Sequence, residues 1–114
     1  MAETYKHLHQ GLVSNTSGGV ATYSAPTNPV TTTIIRHMRV VNVDGSNACQ
    51  LTLWHMPASG STAPANLIFP ATDILAGGSA EFDGTIILDS GDRLFAMAET
   101  PNDLYINIYG LELT

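Results

Sequence analysis

Apolar residues recur at alternate positions in short runs along this chain, and turn-forming residues separate the runs. Thr31 to Val43 is β-branched through most of its length, which suits a pleated ladder and crowds a helix. Its apolar parity is imperfect: Ile34, Met38 and Val40 fall on one face, Ile35, Val41 and Val43 on the other. A bulge near His37 to Arg39, or burial of both faces at one end, reconciles the two sets. Asp44-Gly45-Ser46-Asn47 reads as a tight turn into Cys49 to Trp54, so these two strands are expected to pair as a hairpin.

Further along, Pro57 to Pro64 reads as a loop of small residues, and Asn66 to Phe69 as a short strand ended by Pro70. Ala71 to Leu75 is the one place for a helical turn. Ala76 to Ser79, Asp83-Gly84, Asp89 to Asp92 and Thr100 to Asp103 read as turns between strands ending at Phe82, Leu88, Ala98 and Leu113. Gly110 is a natural bulge site in the last strand. Tyr5 to Val13 and Val20 to Ser24 supply two more strand candidates around the Gly-Ser-rich segment 14–19. About eight strands with turns every eight to twelve residues predict an all-β fold: an antiparallel two-sheet sandwich, jelly-roll-like. The expected inward set is Ile34, Val41, Leu51, Leu53, Phe82, Ile86, Leu88, Leu94, Ile106 and Ile108.

At 114 residues the chain fits one domain. Residues 1–24 are read as an N-terminal arm or as the first strands, and residues 25–114 as the β-sandwich. The polar start lacks the apolar core of a signal peptide, and no apolar run reaches the ~18 residues of a membrane helix, so neither that export route nor a membrane span is expected. One cysteine, Cys49, closes no intrachain bridge.

Charge alters the picture more than size does. Charged residues make up 12% of the chain, against about 25% in an average domain, while hydrophobic residues stand at 44%. Thr, Ser, Asn and Gly must cover the exterior, giving a surface that packs against neighbours without desolvating many ions. The net charge of −6 argues against free nucleic acid as a partner. Met1 to Val43 carries three cations and one carboxylate, whereas Asp44 to Thr114 carries one cation and nine carboxylates.

Reactive constellations are weak. His7 and His9, two apart in a strand, would share a face, but two imidazoles do not complete a metal site. His37 and His55 lie on the expected hairpin strands and are read as structural. No G-x-S-x-G elbow activates any of the eight serines. Asp83, Asp89 and Asp92 flank glycines in turns, where backbone chemistry accounts for them without calcium. No catalytic residue, metal or cofactor is expected. Trp54 reads as a packing residue, and Tyr105 and Tyr109 occupy the face of the last strand opposite Ile106 and Ile108, where they are candidate interface anchors. Tyr5, Leu8, Leu12, Val13 and Tyr23 are candidate anchors for an extended N-terminal segment. Unprotected sheet edges and a charge-poor surface predict a homo-oligomer, with a homotrimer as the expected form.

The segments Ile34 to Asn42, Leu51 to Met56, Ile74 to Phe82, Leu88 to Leu94 and Ile106 to Leu113 resemble, in pattern and order, small β-sandwich structural proteins of tailed bacteriophages. The match covers Val30 to Thr114. The resemblance implies a non-enzymatic virion protein, assembled in the host cytoplasm, that decorates or cements the capsid shell as a trimer on the major capsid protein or another virion protein. A tail, fibre or head-spike component is the alternative, as is a carbohydrate- or receptor-binding module.

Overall fold

The computed structural model describes residues 3–17, 19–58 and 66–114; most of the expected Pro57–Pro64 loop lies outside them. Eight strands follow in chain order: β1 (Glu3–Leu12), β2 (Val20–Ser24), β3 (Thr32–Asn42), β4 (Cys49–Met56), β5 (Leu67–Ile74), β6 (Ser79–Leu88), β7 (Arg93–Ala98) and β8 (Leu104–Leu113). They form two four-stranded sheets, ordered β1-β8-β3-β6 and β2-β7-β4-β5. Every ladder is antiparallel. This is the jelly-roll arrangement expected from the turn rhythm.

Period-two burial builds the core. β8 buries Leu104, Ile106 and Ile108 completely and turns Tyr105 outward, while β7 buries Leu94, Ala96 and Ala98. Leu51 and Leu53 of β4 and Leu88 of β6 close the space between the sheets, with Phe82 and Ile86 packed against them. Each fully buried aliphatic side chain contributes about 1.5–3 kcal/mol relative to exposure. β3 corrects the expected inward set: Ile35, Met38 and Val40 are buried, whereas Ile34 and Val41 point outward. The register shifts between Ile35 and His37, so the bulge falls at Arg36, just ahead of the expected position, and sets Ile35 on the inward face with Met38 and Val40, leaving Ile34 and Val41 together on the outer one.

A second correction concerns pairing. β3 and β4 are not a hairpin; they belong to different sheets. The turn between them does form, with Asp44 Oδ1 accepting from the Ser46 and Asn47 amides at 2.8 and 3.2 Å. It sends the chain across the sandwich rather than back along β3. Buried Asn42 fixes that corner, donating to the carbonyls of Asn47 and Ile74 at 3.0 and 2.9 Å. Of the consecutive strands, only β4 and β5 pair directly.

Two local expectations also change. β5 runs through Pro70 to Ile74 as strand, not as strand followed by a helical turn. Being outermost in its sheet, it has an outward side where a missing N–H disrupts no ladder. Asp83-Gly84 is not a turn but lies inside β6, where the ladder skips from Ile35↔Ile86 to His37↔Asp83. Gly110 keeps β8 in register and is instead a point of close approach: a Cβ there would lie 2.2 Å from the Ile34 carbonyl oxygen.

Candidate interaction face

The outer face of the β1-β8-β3-β6 sheet brings together His7, His37, Asp83, Tyr105 and Tyr109, five of the side chains singled out in the sequence. Cross-strand register sets them in rows. His7, Tyr109, His37 and Asp83 stand level across all four strands. The His7 ring stacks on Tyr109 at 4.7 Å and 19°, and His37 lies 5.9 Å from Tyr109 on its other side. His37 Nδ1 is 2.7 Å from Asp83 Oδ1, a distance at which the ring N–H donates to the carboxylate.

Beside this row runs a second, Gln10, Asn107, Arg39 and Glu81, in which Arg39 Nε approaches Glu81 Oε1 at 3.6 Å. Apolar rows flank the two polar ones. On one side stand Leu12, Tyr105, Val41 and Ser79, with Leu12 43% and Tyr105 42% exposed. On the other stand Leu111, Ile34 and Ile87, and the backbone of Tyr5 on β1 is paired with Leu111. Gln10, Asn107, Arg39 and Glu81 escaped the sequence reading, although Asn107 stands midway between Tyr105 and Tyr109 on the same strand parity.

The other expected anchors lie elsewhere. Val13 is 2% exposed, and Leu8 and Tyr23 pack against the core. A register shift between His7 and His9 sets His7 level with outward Tyr109 and His9 level with inward Ile108, so the pair does not share a face. Burial lowers the pKa of His9, and the neighbouring His7 lowers it further. His37 and His55 are carried by different sheets.

His55 Nε2 is 3.3 Å from Asp92 Oδ2, and Asp92 also accepts from the Ala58 and Asp89 amides. Turn chemistry therefore occupies this carboxylate. His55 borders a groove of about 330 Å³ between β5 and β6, with Leu67, Ile68, Ile86 and Ile87 among its lining residues. Among the described residues, no three or more His, Cys, Asp or Glu side chains come together as metal ligands. Nor, among the described residues, is any helix long and apolar enough to cross a membrane.

Chemically, the face is suited to contact. Its His37–Asp83 pair adjoins an aromatic ring rather than a serine or cysteine on the row. The His7 and Tyr109 rings stack on each other across adjacent strands, and Trp54 is only 9% exposed.

No family model matches the chain, and no curated protein matches it. Among solved structures, the chain is similar to the infectious bursal disease virus VP2 subviral particle, at a TM-score of 0.50 and 12% identity over 97% of this chain. It spans 31% of that VP2 chain. A structure described as "KBV activated particle at acidic pH" aligns at a TM-score of 0.49 and 12% identity, over 94% of this chain and 71% of that one. The Eiger TNF from S. frugiperda aligns at 0.41 and 13% identity, over 92% and 93%. At such identities the VP2 likeness concerns the fold.

Proposed function

We propose that the chain is a non-enzymatic structural protein of a virion, one that decorates or cements the capsid shell of a tailed phage across subunit boundaries. The observation that carries this reading is the outer face of the β1-β8-β3-β6 sheet. Its two polar rows lie between apolar rows on a chain in which only 12% of residues are charged. The charged groups on that face stand in opposite-sign pairs, His37 with Asp83 and Arg39 with Glu81, and its Tyr and Leu side chains supply apolar anchors. The same jelly-roll framework occurs in VP2, a protein that builds a subviral particle.

In this reading the shell partner is the major capsid protein or another virion protein, and the protein resides in the virion after assembly in the host cytoplasm. Leu12, Tyr105 and Tyr109 are the contact residues, because they lie on the outer face while Leu8, Val13 and Tyr23 serve the interior. No cofactor takes part, and the net charge of −6 gives nucleic acid nothing to hold.

Sedimentation tests the reading. Shells of the same virus, assembled without this chain, are mixed with purified protein and pelleted. The protein is expected to pellet with the shells to a saturating ratio. Recovery in the supernatant at every concentration, or binding to isolated tails instead, would overturn it.

A further inference from the structure

The two polar rows share a direction. Each begins on β1 with a side chain that carries N–H donors, His7 or Gln10, and ends on β6 with a carboxylate, Asp83 or Glu81. Among the described residues of one copy, these carboxylates form ion pairs with His37 at 2.7 Å and Arg39 at 3.6 Å. Their side chains remain 79% and 48% exposed, and an ionised carboxylate has about four acceptor sites. Both therefore retain capacity for a second donor.

Both rows also end at sheet edges, since β1 and β6 are the outermost strands. Directions alternate across the four antiparallel strands, so β6 runs opposite to β1. A second copy laid alongside in the same orientation thus brings its β1 antiparallel to the first copy's β6, and the ladder continues without a flip. Charge separates this arrangement from its rivals. β5 and β6 carry Asp73, Glu81 and Asp83 and no cation, so two copies joined through the same β6 edge would set carboxylate against carboxylate. β1 carries Lys6, His7 and His9 against one carboxylate, Glu3.

We propose that copies of this chain associate head to tail, β1 of one copy against β6 of the next, with His7 and Gln10 of one copy donating to Asp83 and Glu81 of its neighbour. The contact joins two different surfaces and is heterologous, so repetition yields a ring or an open filament. Register shifts in β1 and in the β3–β6 ladder bend both edges, which favours a curved, closing assembly over a flat one. This inference concerns the free protein and stands apart from the shell reading.

The test uses two double variants of the full chain: His7→Glu with Gln10→Glu, and Glu81→Lys with Asp83→Lys. Light scattering after size exclusion should show an oligomer for the unmodified protein and monomers for each variant alone, with unchanged circular dichroism. Mixing the variants should restore association, because the acidic β1 edge of one then meets the basic β6 edge of the other. A monomeric unmodified protein, association surviving in either variant alone, or no association on mixing would each overturn the proposal. Hydrogen exchange on the unmodified protein gives a reading independent of variant folding. Association should protect outward amides of both β1 and β6, and protection confined to one edge contradicts the head-to-tail contact.

Discussion

The Tyr23 hydroxyl on β2 donates to the Glu112 carboxylate on β8 at 2.5 Å, joining the two sheets. Lys6 approaches the other Glu112 oxygen at 2.6 Å, and the Thr33 hydroxyl lies 2.9 Å from the Tyr23 oxygen. Burial works against the charge on Glu112, but the hydrogen bonds from Lys6 and Tyr23 and the Lys6 charge outweigh it, so its pKa lies below the usual carboxylate value. Burial, together with donation to Glu112, raises the pKa of Tyr23 above the ordinary tyrosine value.

The sign of the pH dependence follows. A carboxylate with a depressed folded pKa stabilises the protein above its unfolded value, and that contribution is lost as pH falls through the folded one. A tyrosine with a raised folded pKa stabilises below its unfolded value, and its contribution is lost as pH climbs toward the folded one. Glu112→Gln should cost about 1–3 kcal/mol at neutral pH and flatten the acid limb of the stability curve below about pH 5. Urea titrations across pH check both; an acid limb unchanged in the variant contradicts the assignment.

Gly110→Ala should be among the more damaging single-methyl additions, because its Cβ would meet the Ile34 carbonyl oxygen at 2.2 Å and main chain cannot swing aside as a side chain can. About 2–3 kcal/mol is expected, a fall in Tm of roughly 10 °C. Gly45→Ala is the control, since nothing lies within 4 Å of its Cβ position. Thermal melts compare the two, and equal effects would contradict the close approach.

Trp54 reports on the segment that packs over it. A Cβ on Gly19 would reach 2.9 Å from the Trp54 ring, and Gly19 holds φ at +78°, where side chains are strained. Gly19→Ala should therefore lower Tm and shift the buried tryptophan emission to the red. Fluorescence that stays blue at unchanged Tm would contradict this packing.

Asp92 ties the end of β4 to the turn between β6 and β7 through His55, Ala58 and Asp89. Asp92→Ala leaves two amides without their acceptor and should cost about 1–3 kcal/mol, read from denaturant midpoints. A change within error would contradict its role as a hub.

Strand positions were legible because period-two patterns and turn residues are local signals. Asp44 to Asn47 and Asp89 to Asp92 show the limit: each turn was readable, but which sheet receives the next strand was not, since a turn crossing a sandwich uses the same Asp and Gly chemistry as a hairpin. Parity in β3 failed for a related reason, because Arg36 in a bulge looks in sequence like any exposed arginine. Pro70 suggested a strand end where it marks a strand edge. The outer face was half visible: Tyr105 and Tyr109 announced it on β8, whereas their alignment with His7, His37 and Asp83 depends on register between strands distant in sequence.

Shell melting shows whether this protein reinforces a shell through the outer face of its first sheet. Shells saturated with the unmodified protein should come apart at a higher temperature than bare shells. The Leu12→Asp with Tyr105→Asp variant, folded and with unchanged circular dichroism, should leave the bare-shell temperature unaltered. Equal melting of bare and saturated shells, or full protection by the variant, would contradict the account.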